Sequence, residues 1–385
     1  MNKKTDMLKA AFDTNSYNSK LVSLNTEQAK EFVDLMVDES VLLKQVTMEK
    51  MNTPKKTLAN IMAKGTFLHP GKHDANLLES QRQKATATPV ELSTELLRWE
   101  FDVLDQELED NIEGGSLEAK LVNIVAKKTA NELEQIALYS RKRSGAQTSF
   151  GLYDGFIWRA IQDGNVVNAS SLTSQEVSRE LFVKMYKTMP TKWRNNAKWI
   201  TWPDVIVDYN ELFNNNFNRN EMINRILWKE TIECPLWKVD RPATTTGGTT
   251  TSWVTSAWST TITVADATGL TAWDQIVVGA GTVNEDQYTI LSVSTNTLTL
   301  TEAVREQIPA TTAVTEVTAL GSDILLSDPK NLIVGIQTGW LSSERISFER
   351  ERLAGIWFRY HFKIRVDFQI FVPEATVLGA WVKLK

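Results

Sequence analysis

The run IWFRYHFKIRVDFQIFV, from Ile356 to Val372, sets a large apolar side chain at every even position. These are Ile356, Phe358, Tyr360, Phe362, Ile364, Val366, Phe368, Ile370 and Val372. Most odd positions, Arg359, His361, Lys363, Arg365, Asp367 and Gln369, are polar or charged. Strict alternation with a period of two assigns one set of side chains to each face of a β-strand. At roughly 3.3 Å per residue the run would span about 56 Å, whereas ordinary strands hold about 5–6 residues. Such a ribbon is a beam, or two strands joined by a bend. It builds a frame rather than a pocket. The expected core face comprises Phe358, Tyr360, Phe362, Ile364, Val366 and Phe368.

The surrounding chain has 385 residues, enough for two or three domains. At 42% hydrophobic and 23% charged it has the composition of a globular protein. No apolar run approaches the roughly 18–20 residues of a membrane span, and the first residues lack the apolar region of a secretory signal. A lone cysteine, Cys234, excludes an intramolecular disulfide framework, and a cytosolic folding environment is the default expectation. Its apolar surroundings and the following proline favour packing over reactivity. The net charge of −5 is unevenly spread. Between Ala243 and Thr318 seven acids (Asp266, Asp274, Glu285, Asp286, Glu302, Glu306 and Glu316) face one base, Arg305. That segment is −6, which leaves the remainder at +1, no signature of a dedicated DNA-binding domain.

Residues 1–24 are polar and unpatterned. Asn25 with Gln28 resembles a capping box ahead of a helix with Ala29, Phe32, Val33 and Met36 on its apolar face. From Met51 to Leu92 the pattern weakens into a polar, basic excursion broken by prolines and glycines. A stretch of this length is unusual inside a compact domain; an extended two-stranded arm lying on a neighbour would account for it, and plain disorder is the alternative. Leu117, Leu121, Ile124, Val125, Leu133 and Ile136 then recur at helical spacing, giving a helix of about 36 Å up to Tyr139. Thr173 and Glu176 form a capping box for a second helix with Val177, Leu181, Phe182, Met185 and Met189 on its face, ended by Pro190. Trp199 to Asp204 reads as a strand entering a turn, and residues 204–230 as helical or mixed, interrupted at Asn214–Asn216. After Arg241-Pro242 the chain turns rich in Thr, Gly and Ala. Short β-like runs at 261–264, 275–278, 288–293, 297–301 and 313–317 alternate with turn signals at Gly269, Gly279, Gly281 and Asn296. They describe a small all-β module, inserted because the earlier style resumes at Asp328-Pro-Lys-Asn331.

No chemistry-bearing motif emerges. His69 and His73 are separated by Pro70-Gly71 and share no helix face, and His361 lies on the polar face of the ribbon. Gly247-Gly248 lacks the lysine of a phosphate-binding loop, and no Gly-x-Ser-x-Gly elbow is present. Glu107, Glu109 and Asp110 sit among other charges as a solvated face. Thirteen tryptophans could suggest carbohydrate stacking, but they are scattered through apolar contexts, which favours core and interface packing. Nothing here favours an enzyme, and no cofactor or metal is indicated.

The order of parts (arm, extended excursion, long helix, mixed α/β region, inserted β module, closing ribbon) resembles the major capsid proteins of tailed bacteriophages, with their Hong Kong 97-like fold. Ser116 to Tyr139 is similar to the family's spine helix, and LSTELLRWEFDVL (92–104) to the strand before it. Met51–Val90 resembles the extended loop. Asn195–Asp204 looks like the axial strand and turn, Asp328-Pro-Lys-Asn-Leu-Ile-Val-Gly335 like a recurrent "Asp-x-x-Asn-apolar-Gly" segment, and Arg365–Ala375 like the terminal strand and proline turn. The resemblance implies an α+β chain: N-terminal arm and helix, 1–50; extended loop, 51–91; peripheral domain, 92–150 and 340–372, with spine helix 116–139; axial domain, 151–242 and 319–339, closed by 373–385; inserted all-β domain, 243–318.

By the same resemblance the chain is a structural protein of the virion, assembled in the bacterial cytoplasm into hexamers and pentamers of an icosahedral head around double-stranded DNA. Implied partners are further copies of itself, a portal protein, a separate scaffolding protein and decoration proteins. Packaged DNA is touched only non-specifically, and no membrane is involved. Lys64, Lys72, Arg82 and Lys84 of the excursion would contact neighbouring subunits, as would Arg359, Lys363 and Arg365 of the ribbon. The ribbon's apolar face would lie under the spine-helix stripe, and the acidic insert would point away from the DNA. An encapsulin-type compartment, a tail or baseplate component and a carbohydrate-binding module remain open alternatives.

Overall fold

The protein is described from a computed structural model that covers residues 22–23, 40–62, 86–104, 117–142, 149–163, 165–169, 172, 176–217, 225–235, 241–279, 286–305, 307–337, 346–349 and 356–383. In chain order the first elements are β1 (Val22–Ser23), β2 (Thr47–Met51), β3 (Lys55–Met62), β4 (Thr86–Ser93), β5 (Glu95–Leu104), α1 (Leu117–Tyr139), α2 (Phe156–Gln162), β6 (Val166–Asn168) and α3 (Arg179–Thr188). There follow β7 (Lys198–Thr201), α4 (Pro203–Phe217), β8 (Arg225–Ile226), β9 (Lys229–Glu233), β10 (Arg241–Thr250), β11 (Thr261–Thr263), β12 (Gln275–Val278), β13 (Asp286–Ser294) and β14 (Thr297–Leu300). The chain closes with β15 (Ala313–Ser327), β16 (Leu332–Gln337), β17 (Ile346–Glu349), β18 (Ile356–Ile370) and β19 (Thr376–Lys383).

The alternating ribbon is one unbroken strand, β18, ending two residues before Val372. Its length has a cause outside itself. One edge pairs β5 from Ile356 to Val366, while the other pairs β17 at Arg359–Phe362 and then β16 at Val366–Ile370. β2 adds in parallel to β16 and β1 to β17, completing a six-stranded sheet. On the even face Ile364, Val366, Phe368 and Ile370 are buried. They share an apolar core with Ala126, Ala130, Leu133, Ile136 and Ala137 of α1. The rings directly on Phe368 belong to Tyr153 and Phe156, at 5.6 and 5.9 Å, both edge-on.

The second sheet, of eleven strands, is organised by β15. The C-terminal half of β15 pairs β7 and β19, and the N-terminal half pairs β10 and β12. Around β7 and β19 the sheet is covered on both faces, and alternate residues enter different cores. Trp199, Ile324, Leu326 and Val377 pack with α3 and α4, whereas Ile200, Leu325 and Leu378 join the core shared with α1. Strands covered on both sides lose polar alternation, as the run Thr376–Lys383 illustrates. The insert has a separate core of Ile262, Val264, Ile276, Val278, Tyr288, Ile290, Leu298 and Leu300 among others. It grows from the second sheet through the β10–β15 ribbon, so residues 243 and 318 both lie inside strands.

Several local expectations are corrected. The second helix begins at Arg179, and its cap is Ser178, whose hydroxyl accepts from the Leu181 N–H; the backbone at Glu176 instead forms an isolated parallel β-bridge with Lys383. The helix face itself holds: Val177, Leu181, Phe182, Met185 and Met189 are all buried. No turn follows β7, because Pro203 opens α4 directly; proline is favoured at a first helical position, where no N–H is needed. α4 runs through Asn214–Asn216 to Phe217, its first turns anchored by buried Val205, Ile206 and Tyr209. Tryptophans are not confined to packing: Trp228, Trp253, Trp258 and Trp273 are exposed.

Candidate assembly surfaces

Two of the chain's passages between the sheets run side by side. The chain passes from β15 to β16 through Asp328–Asn331, and from β18 to β19 through Phe371–Ala375. Asp328 caps the first crossing by accepting from the Lys330 N–H at 3.0 Å. Asn331 welds the two crossings. Its Nδ2 donates to Val372 O (2.9 Å) and Thr376 Oγ1 (3.0 Å), and its Oδ1 accepts from Val372 N (2.8 Å). The Phe371 N–H reaches Asn331 O, and Ser327 Oγ meets Thr376 Oγ1 at 2.8 Å. This is the physical content of the "Asp-x-x-Asn" segment. Its glycine has a role too: a Cβ on Gly335 would sit 3.3–3.4 Å from the tips of Leu92 and Met51.

Leu92 and Met51 belong to the base of an arm. β3 and β4 pair only with each other, in eight register pairs from Lys55↔Ser93 to Met62↔Thr86. The base is held by Thr94, whose N–H and hydroxyl both donate to Pro54 O, and by the Lys56–Glu49 ion pair. It is also tied to β18: Gln369 Nε2 donates to Glu91 O, and the Ser93 N–H donates to Asp367 Oδ2 at 2.7 Å. Asp367, on the nominally polar face of the ribbon, is therefore buried. Burial raises its carboxyl above the usual aspartate range, against the pull of the Ser93 N–H and of Arg159, 3.6 Å away.

A second buried carboxylate ties the segment before β2 to α1. Glu134 accepts from Ser40 Oγ and from Leu42 N, and lies beside Cys234. Cys234 is fully buried; desolvation, then the Glu134 charge, pushes its thiol well above the ordinary value.

The sequence-predicted positions divide as follows. Leu133, Ile136, Ile364, Val366 and Phe368 are buried. For Leu117, Leu121, Ile124 and Val125, and for Phe358, Arg359, Tyr360, His361 and Phe362, only the backbone is described, helical or extended respectively. Lys363 and Arg365 are half-buried. Lys64, Lys72, Arg82, Lys84, His69, His73, the carboxylates at 107–110 and the helix expected after Asn25 lie outside the described residues. Sequence reasoning missed Asp367, Asn331 and Tyr153 as organisers. Among the described residues no group of three His, Cys, Asp or Glu could hold a metal, and no helix is long and apolar enough to cross a membrane.

Comparison with known proteins agrees with this geometry. No family model matches the chain. Over 191 residues it is 22% identical to the "Putative prophage capsid protein YqbE" of Bacillus subtilis (strain 168), a match covering 49% of this chain and 60% of that relative. A chain in the structure of the satellite phage P4 procapsid including size determination (Sid) protein superposes with a TM-score of 0.56 at 10% identity, covering 100% of this chain and 99% of that one. The architecture is the Hong Kong 97-like capsid fold expected from the order of parts.

Proposed function

We propose that this chain is the major capsid protein of a tailed bacteriophage, a structural subunit that assembles as hexamers and pentamers into an icosahedral head around double-stranded DNA. The β3–β4 arm carries the reading. A two-stranded ribbon is marginal in water without a surface beneath it. Among the described residues the subunit supplies the small base cluster of Met51, Leu92 and Ile333, with Leu58 and Phe371 packed against it. Thr57, Ala59, Thr88 and Pro89 further out are exposed. The missing surface is a neighbouring copy. The capsid fold and the similarity to a prophage capsid protein support the same conclusion.

Within that reading Lys64, Lys72, Arg82 and Lys84 contact the neighbour beneath the arm, and Lys363 and Arg365 face the next subunit or the shell interior. The acidic insert stays on the outer surface, where its charge is kept from the packaged phosphates. A portal protein, a separate scaffold and decoration proteins complete the head, which is assembled in the host cytoplasm.

Negative-stain microscopy of the purified chain, expressed alone and with its phage neighbours, tests the proposal. Closed shells of uniform diameter that carry DNA in the virion are expected. Rings or tubes without closed shells would point to a tail component, and shells recovered with protein cargo and no DNA to an enzyme compartment. Either result overturns the reading.

A further inference from the structure

The 15-residue strand β15 has two unlike ends. Its Ala313 end carries the insert, whose residues 243–318 hold seven acids against Arg305 alone. Its Ser327 end pairs Lys198 of β7, and β9 runs parallel to β7. The β8–β9 hairpin therefore stands at the Ser327 end. Counting strand rise, the two ends lie roughly 45 Å apart.

The hairpin turns through Leu227 and Trp228, at φ 44° and 57°. A two-residue turn with both positions left-handed is ordinarily built from Asn-Gly, because a side chain there crowds the backbone carbonyl. Leu227 has a reason inside the subunit. Its side chain is buried in the core under α3 and α4, and its N–H reaches the Tyr209 hydroxyl at 3.3 Å. Trp228 has no such reason: it is 71% exposed and touches the edge of Tyr186, whose ring Arg194 covers at 5.0 Å. Beside it opens a cleft of about 680 Å³ whose charged lining is Lys198, Arg225, Lys229 and Lys330 against Glu230 and Asp328. An exposed tryptophan kept in a strained turn, with tyrosine and arginine alongside and a net cationic rim, has the composition of a contact hot spot.

We propose that the β8–β9 hairpin end of one copy docks against the acidic insert of the next, with Trp228 as the anchor. Charge sets the direction, since like ends repel and unlike ends attract. Head-to-tail contacts of this kind close into rings. The proposal thus deepens the shell reading and rests on it for the place of the ring in a head.

The test uses the full chain. Trp228→Gly removes the ring and relaxes the turn. The subunit is expected to melt at the same temperature or higher, while the concentration needed for assembly rises about thirtyfold. Arg225→Glu, which leaves the turn untouched, is expected to raise it as well. In a mixture of isotope-labelled and unlabelled chains, zero-length carbodiimide coupling is expected to join Lys330 or Lys229 of one copy to an acid within 243–318 of another. Assembly of Trp228→Gly at the wild-type concentration, or intermolecular coupling that never involves the insert, overturns the proposal. It also fails if both variants assemble normally but lose retention on DNA, because the cationic end then serves nucleic acid. Coupling is read on any oligomer. Rings that couple as expected but never close into shells would refute the shell reading and leave this contact standing.

Discussion

Replacing Asn331 by leucine keeps the branched side-chain shape and removes every hydrogen bond that this side chain makes at the crossing of the two sheets. Three bonds are lost: Nδ2 to Val372 O, Nδ2 to Thr376 Oγ1, and Val372 N to Oδ1. Thr376 keeps Ser327 as a partner, so its loss is small. Val372 is 3% exposed; its carbonyl keeps the Ala375 N–H at 3.1 Å, but its own N–H loses its partner where water does not replace it. A neutral hydrogen bond is worth about 1 kcal/mol net, and a stranded buried donor costs about 1–3 kcal/mol. The expected loss is therefore about 3–5 kcal/mol, a large share of the roughly 5–15 kcal/mol that holds a domain together. Urea unfolding of the unassembled subunit measures it. Tryptophan fluorescence weights the second sheet through Trp199 and Trp381, while far-ultraviolet circular dichroism reports both sheets. Because Asn331 couples the sheets, the two probes are expected to agree in the wild type and to separate in the variant. A loss below about 1 kcal/mol with coincident transitions would refute the weld.

Further outcomes rest on the residues around the same core. Asp367→Ala strands the Ser93 N–H and leaves Arg159 without its carboxylate, an expected cost of about 3 kcal/mol in urea unfolding. Asp367→Asn is expected to be milder and to change the pH dependence. The folded-state pKa of Asp367 is raised, so its contribution is full below the usual aspartate pKa near 4 and is lost as pH rises through the folded value. The stability of the Asp367→Asn variant relative to wild type should accordingly improve with pH across that acid window, and a flat difference would exclude the burial argument. Phe368→Ala, which empties the space between Tyr153 and Phe156, is expected to cost about 3–5 kcal/mol, whereas half-buried Lys363→Glu spares the fold and impairs assembly. Cys234 is expected to resist thiol reagents in the native subunit and to react in urea, because burial both blocks access and disfavours the thiolate. Rapid native labelling would contradict its placement.

Much of the fold was legible in local pattern. Period-two alternation identified β18 as a strand, whose Ile364, Val366, Phe368 and Ile370 are buried, and helical spacing identified α1 and the buried face of α3. The β-like runs at 261–264 and 275–278 match β11 and β12 closely. Helix boundaries were less legible. Thr173-x-x-Glu176 reads as the cap, whereas Ser178 caps the helix and the backbone at Glu176 forms a β-bridge with Lys383, more than 200 positions away. The asparagine cluster in α4 has poor intrinsic helix propensity, but a helix anchored by a buried first half carries such residues. The exposed tryptophans were misjudged because composition reports how many rings exist and not where the turns place them.

The sequence by itself determined which of the long periodic segments are strands or helices and which side of each pattern is apolar. Those are properties of the 2.0 and 3.6 residue periods, decided among neighbours in the chain. Only the tertiary structure decided what each edge and each buried polar group meets. β18 is long because β5, β17 and β16 share it, Asp367 is buried because the arm's Ser93 needs an acceptor, and Asn331 matters because Val372 comes to lie beside it. These partners are distant in sequence. Their pairing follows from satisfying backbone groups that burial has removed from water, a condition that no local period records.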